Sequence, residues 1–218
     1  MSPASRPRLL VGTTVHHADD VRISRKLVPS LAAAFDVTYL SREPGPSAAT
    51  GAGWAGLPGG RLRRWWRLWR EVRRRPWDVL VLHDPETMPI GWWVRRRGVV
   101  VFDLHERLPD QVRDKSWIPR PLRRPVASAV RWALTRTDRL LHVTLAEDGY
   151  RDLVGQDAPV FANHPRDLRP SGDARTGRVV YVGDVTEARG IGDLVEAAAR
   201  VGVPLDVVGP VHDEFAER

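Results

Sequence analysis

Hydrophobic positions along the chain fall into short runs separated by longer amphipathic stretches. Apolar runs rich in β-branched residues predict strands at Leu9–Val15, Val37–Leu40, Val79–His83, Val99–Leu104, Arg139–Val143 and Val160–Ala162. Most of these lack polar alternation, as suits strands covered on both faces. Helical periodicity predicts helices near 20–34, 61–75, 86–97, 121–137 and 146–154. Pro85 and Pro121 stand where a first helical turn accepts proline. Strands alternating with helices predict an α/β fold: a Rossmann-like parallel sheet with helices on both faces.

Two stretches punctuate this pattern. Glu43–Gly60, rich in Gly, Pro, Ala and Ser, reads as a mobile loop, and Pro165 to Gly177 reads as an interdomain linker. The pattern then restarts with a strand at Val179–Val182, a helix at Gly192–Val201 and a strand at Leu205–Val208. The expected organisation is a first domain over 1–164, a linker over 165–177 and a second domain begun over 178–218. A βαβ piece of about 40 residues is below the roughly 50 residues at which domains stand alone. The second unit is therefore expected to be the truncated start of a larger domain, or to pack on the first.

Composition narrows the class. A hydrophobic share of 42% supports a packed core, and no run approaches the roughly 20 apolar residues that span a bilayer. Met1 to Arg8 shows no signal-peptide pattern, and the absence of cysteine excludes disulfides and thiolate chemistry. The expectation is a cytoplasmic protein, either soluble or held at the inner face of the plasma membrane. The net charge of +7 is uneven: residues 165–218 carry 7 Arg against 10 acidic residues, which leaves +10 on the first 164. Nucleic acid is not an expected partner, because no recognition motif is present and carboxylates crowd the strand ends.

Those strand ends are where an open α/β sheet binds its ligands. The first strand leads through His16-His17 to Asp19-Asp20-Val21-Arg22. The strand at 79–82 leads into His83-Asp84-Pro85-Glu86, and the strand at 99–102 into Asp103-Leu104-His105-Glu106. Asp84 and Asp20 also read as helix N-caps. A metal held by His83, His105 and carboxylates fits the donor types, but no HExxH-type spacing supports it, and none is expected. His142 reads as a mid-strand structural residue.

Two further features carry charge. In 61–75, eight arginines lie mostly opposite Leu62, Trp65, Trp66, Leu68, Trp69 and Val72. At 100° per residue those apolar positions fill an arc of about 160°. The helix suits either a sheet-covering role or contact with an anionic membrane. Val179 to Ile191 reads as a strand, a glycine turn at Gly183, Arg189-Gly190 and a helix start, a setting that suits a diphosphate.

Taken together, these segments resemble the family 4 retaining glycosyltransferases of the GT-B fold, in a branch serving bacterial surface-polysaccharide assembly. His17-Ala18-Asp19-Asp20-Val21-Arg22-Ile23 resembles that branch's opening segment. His83-Asp84-Pro85-Glu86 and Asp103-Leu104-His105-Glu106 resemble two of its strand-end motifs. Asn163 resembles the residue closing the N-terminal domain, and Gly183 through Gly190 the start of the donor domain.

The resemblance implies transfer from a nucleotide-sugar donor to a lipid-linked or saccharide acceptor, without a metal. His105 would be catalytic. His17, Asp20, Arg22, His83, Asp84, Glu86, Asp103 and Glu106 would line the acceptor side. Gly183, Arg189 and Gly190 would hold the donor diphosphate. Asp184 stands where many relatives carry Arg, and the acidic donor motif is missing, so this chain alone is expected to show little or no turnover. A non-catalytic, truncated paralogue that binds membrane or protein is the alternative.

Overall fold

The computed structural model describes residues 5–45, 52–114, 118–155, 157–164 and 177–211. The chain divides into two compact units, Met1–His164 and Pro165–Arg218. Most of the expected linker lies outside the described residues.

The first unit is a six-stranded parallel sheet in the order β3-β2-β1-β4-β5-β6. Its strands are β1 (Arg8–Gly12), β2 (Asp36–Ser41), β3 (Gly53–Gly56), β4 (Val79–Leu82), β5 (Val99–Leu104) and β6 (His142–Leu145). Register is continuous through the centre: Leu10 stands beside Thr38 on one side and Leu80 on the other. The order reverses between β1 and β4, so the loops leaving these two strands diverge and open a crevice at their carboxyl ends.

Both faces are covered, as the unbroken apolar strands require. On one face Leu10, Leu40, Leu80, Leu82 and Phe102 pack under α2 (Arg61–Arg74), α3 (Met88–Val94) and α5 (Arg120–Leu140). On the other, Leu9, Val11, Val37, Tyr39 and Val81 pack under Ile23 and Val28. Ile23–Leu27 forms a π-helical turn that runs into α1 (Val28–Ala32). Adjacent strand residues go to opposite faces because side chains alternate along a strand. Helix α2 seats Leu68 and Val72, both 0% exposed, on the sheet. It ends where Arg75 turns extended ahead of Pro76. Glycines permit the close approach: a Cβ on Gly12 would lie 2.7 Å from Leu68 Cδ1, and one on Gly91 in α3 would lie 2.7 Å from Leu141 Cδ1.

Several expectations need correction. Part of the expected loop at 43–60 is strand β3, which pairs with β2 and packs Trp54 on Tyr39 at 4.6 Å between ring centroids. Its sequence, Gly-Trp-Ala-Gly, has little intrinsic strand preference, so tertiary pairing decides. Helix α5 continues through Arg139 and Leu140, and β6 begins only at His142, whose side chain is exposed. Val160 makes only an isolated bridge to Leu145. Helix α4 (Leu108–Asp114) was not expected, and the stretch expected as helix 146–154 is a 3-10 segment at Asp148–Leu153.

In the second unit β7 (Val179–Val182) and β8 (Leu205–Val208) pair in parallel, connected through α6 (Ile191–Val201). Its buried apolar residues, among those described, are Val185, Ile191 and Ala198.

Packing around Gly91 leaves no room for a side chain. Gly91→Val is expected to destabilise the chain by about 1–3 kcal/mol, read as a lowered urea midpoint. Gly60→Ala, with nothing within 4 Å of the added Cβ, is the matched control.

Candidate functional site

The carboxyl edge of the sheet is built around two buried carboxylates. Asp84, 2% exposed, follows β4 and leads into a 3-10 turn at Pro85–Thr87. Its side chain makes no cap hydrogen bond, contrary to the N-cap expectation. Instead Asp84 Oδ2 accepts from Thr13 Oγ1 at 2.8 Å and from the backbone N–H groups of Thr14 and Val15, with Thr14 Oγ1 3.1 Å away. Asp103, at the end of β5, is gripped by the guanidinium of Arg22, with Nη2 to Oδ1 at 2.9 Å and Nε to Oδ2 at 3.1 Å. Thr144 Oγ1 on β6 donates to the same carboxylate at 2.9 Å. Burial alone would raise the Asp103 pKa; the nearby His83 ring and the Arg22 guanidinium hold it far below the usual carboxylate range.

Three histidines gather above these carboxylates. His83 is buried, its Nδ1 3.3 Å from Asp103 Oδ2, yet among the described residues neither ring nitrogen has a hydrogen-bond partner. His105 Nδ1 lies 3.1 Å from the Asp103 carbonyl oxygen, and its Nε2 lies 3.2 Å from His16 Nε2. His16 Nδ1 in turn lies 3.0 Å from Asp20 Oδ2. The Asp103 carbonyl and the Asp20 carboxylate each accept from a ring Nδ1–H, so the two Nε2 atoms share one further proton, and the carboxylates of Asp20 and Asp84 beside His16 favour it there.

The pKa directions agree. For His16, burial opposes the charge, but the Asp20 hydrogen bond and the Asp84, Asp20 and Glu106 charges raise its pKa. For His105, burial and the neighbouring His83 lower it. Asp20 is held down to about 2, against burial, by His16 and by the Ile23 N–H. It thus accepts from the Ile23 N–H as well as pairing with His16, while the N-cap position itself is taken by Arg22 rather than by Asp20 as expected.

A pocket of about 160 Å³ opens here, lined by His16, His83, Asp84, His105, Glu106, Arg61 and Gln111 among others. It is smaller than the roughly 300–1,000 Å³ that encloses a drug-sized ligand, so it accommodates one polar ring or the end of a chain. Glu86 stands at its edge, accepting from Arg61 Nε at 2.6 Å and from Thr14 Oγ1 at 2.8 Å. Its pKa is lowered, against burial, mainly by that Arg61 contact.

Of the residues singled out from sequence, His83, Asp84, Glu86, Asp103, His105, Glu106, Asp20 and Arg22 share this edge. His17 does not join them. Its Nδ1 lies 2.7 Å from Glu43 on an exposed surface, and His16 takes the inward position. Adjacent residues in a loop leaving a strand point apart, and sequence gave no basis for choosing between the two. Thr13, Thr14, Arg61 and Gln111 were missed as well. For Arg61, the basic start of an amphipathic helix was the available signal.

His83, Asp103 and His105 offer three ligand atoms within 4.8 Å of one another, a donor set that fits a metal by type. The Arg22 guanidinium already supplies the positive charge that Asp103 needs. In the second unit, Gly183 (φ 152°) and Gly190 (φ 68°) occupy backbone conformations that side chains disfavour, and Arg189 is exposed between them, just before α6.

No protein-family model matches the chain, and no curated protein matches it in sequence. Among solved structures, a sucrose-phosphate synthase from Thermosynechococcus elongatus superposes over 97% of this chain, with a TM-score of 0.61 and 13% identity. The glycotransferase of kitacinnamycin matches 93% of the chain at 13% identity with a TM-score of 0.46, too loose a likeness to argue from. The chain spans 64% and 65% of these two proteins' lengths. The first likeness shows the fold: a parallel α/β sheet flanked by helices, of the kind seen in GT-B glycosyltransferases.

The His16–Asp20 pair sets a pH window. Asp20, depressed to about 2, contributes stability above its ordinary value of 3.8 that fades as pH falls toward 2. His16, raised above 6.5, contributes below that value and loses its contribution as pH rises through the folded pKa. The stability difference between the wild type and Asp20→Asn is therefore expected to peak near pH 5–6 and shrink on either side. In imidazole NMR titrations His16 is expected to titrate above His105, and Asp20→Asn to lower the His16 pKa.

Proposed function

We propose that the chain serves glycosyl transfer from a nucleotide-sugar donor to a lipid-linked or saccharide acceptor, with retained configuration, in cell-envelope or exopolysaccharide assembly on the cytoplasmic side. The observation that carries this reading is the His16–His105 pair, in contact through Nε2 and set with Asp84 and Glu106 at the reversal point of a sheet whose fold is shared with a sucrose-phosphate synthase.

In the transfer, the bond from the sugar's anomeric carbon to the diphosphate breaks. A bond to the acceptor hydroxyl oxygen forms, and the hydroxyl proton leaves with the diphosphate. The developing charge on the leaving group needs fixed positive charge and oriented N–H groups. We assign the diphosphate to Gly183, Arg189 and Gly190 ahead of α6, and contact with the transferred sugar to His105. Asp84 is held through Oδ2 by the 13–15 loop and acts as a positioning residue for that loop. Glu106, which faces the pocket, is the carboxylate we assign to acceptor hydroxyls. This arrangement calls for no metal, since cationic side chains supply the charge.

Titration with UDP, GDP and ADP is expected to show binding of at least one nucleotide, weakened about tenfold or more in Arg189→Ala. Transfer by this chain alone is expected to be slow. In single-turnover assays His105→Ala is expected to lower it by a further 100-fold or so with donor binding unchanged. Failure of every nucleotide to bind, together with no transfer to any acceptor of the two classes, overturns the reading.

A further inference from the structure

The outer face of α2, α3 and α5 has aromatic surface that the core does not use. Leu68 and Val72 already seat α2 on the sheet, yet Leu62 is 82%, Trp66 64%, Trp93 61% and Trp132 61% exposed. These side chains are not scattered. Leu62, Trp66, Trp69 and Arg73 follow the i, i+4, i+7, i+11 spacing of one helix edge. That edge meets α3 through Trp69 and Trp93, whose centroids are 5.0 Å apart, and α3 meets α5 through Trp92 and Trp132 at 6.0 Å. The rings thus form a band of two clusters, Trp65, Trp66, Trp69 and Trp93 between α2 and α3, and Trp92 with Trp132 between α3 and α5, which meet at the adjacent residues Trp92 and Trp93.

One step round α2, Arg63, Arg67, Arg70 and Arg74 repeat the same spacing and form a cationic ridge beside the band. Among the described residues none of these four has an acidic partner. Arg73 lies over Trp69 at 5.5 Å, and Arg136 over Trp92 at 5.2 Å and Trp132 at 5.8 Å. Helix α3 has no acidic residue, and Glu71, the acid of α2, is paired with Arg75. Trp65 and Trp92 spend their indole N–H groups inward, on the Glu86 carbonyl and Thr137 Oγ1. Those of Trp66, Trp93 and Trp132 have no partner among the described residues.

We infer that this band and ridge form a docking surface for an anionic lipid bilayer. Exposed indoles bring an apolar ring and a free N–H donor, which suits the headgroup level of a membrane. Guanidiniums beside them that have no acidic partner among the described residues match the negative charge of an anionic leaflet. A protein partner's apolar surface would use the rings but leave the ridge uncompensated. Among the described residues no helix is long and apolar enough to cross a membrane, so the contact is peripheral. The inference stands on surface chemistry alone, whichever reaction the chain serves.

Vesicle flotation of the full chain tests it, with phosphatidylcholine vesicles carrying 30% phosphatidylglycerol against phosphatidylcholine alone. The chain is expected to float with the anionic vesicles and at least tenfold less with the neutral ones. Trp66→Gln with Trp93→Gln, and separately Arg70→Gln with Arg74→Gln, are each expected to weaken binding tenfold or more. For the arginines, about 1 kcal/mol per charge is about fivefold each and so about 25-fold for the pair. Both variants alter exposed positions, and unchanged melting temperatures establish that they fold. No flotation of the wild type overturns the proposal. So does equal flotation of the tryptophan variant, which would reduce the contact to unspecific charge attraction. Competition by duplex DNA that tracks the arginines and ignores the tryptophans overturns it in favour of a nucleic-acid surface.

Discussion

A buried carboxylate must be answered by donors or cations, and in this chain that requirement is met twice by the same stretch of sequence. Asp84 and Asp103 end neighbouring strands and are almost fully buried. Leaving either unpaired costs several kcal/mol. Asp84 draws its donors from Thr13, Thr14 and Val15, and Asp103 draws its charge partner from Arg22. The segment between is therefore clamped over β4 and β5 at both ends, and His16, inside it, is set against His105. The pocket is a consequence of these two compensations. Removing one would free the loop as well as a charge.

The sheet was legible because its strands are unbroken apolar runs, and parallel strands buried on both faces leave that trace. The motif-bearing strand ends followed directly, since His83-Asp84 and Asp103-Leu104-His105 immediately succeed Val79–Leu82 and Val99–Phe102. What sequence did not disclose depends on long-range contact. Strand β3 has no periodicity of its own and exists through pairing with β2. The α5–β6 boundary is blurred because Arg139-Leu140-Leu141 suits either element. His16 and His17 differ by one position in a loop, where no period assigns facing, and only the Asp20 and Glu43 partners distinguish them.

Arginine shows the same limit from another side. A surplus of positive charge over the first 164 residues is a single compositional fact, but the structure separates it into unlike roles. Arg22 neutralises a buried carboxylate; Arg61 grips Glu86 at the pocket rim; Arg64 donates to the carbonyl oxygens of Thr14 and Gly59. Arg70 and Arg74 face outward. No count or run of arginines predicts this division. It follows from the angle of each residue on α2 relative to Leu68 and Val72, the positions that fix which side meets the sheet.

Helix α2 also contains a conflict between local and global preference. Its first turn holds Arg61, Arg63 and Arg64 and no acidic residue. The N-terminal end of a helix disfavours positive charge by about 0.3–1 kcal/mol per group. A sequence chosen for helix stability alone would place acids there. The cost is offset locally by Glu86 and by the Thr14 and Gly59 carbonyls, two of which belong to the carboxyl-edge loops. Arg61 and Arg64 therefore stabilise the pocket wall at the expense of their own helix. Locally unfavourable residues retained in this way concentrate at functional sites. Because α2 is rigid over roughly 20 Å at 1.5 Å per residue, the turn that braces the pocket and the face that carries the tryptophan band belong to one body. A force that reoriented the outer face would also act on the Arg61–Glu86 contact.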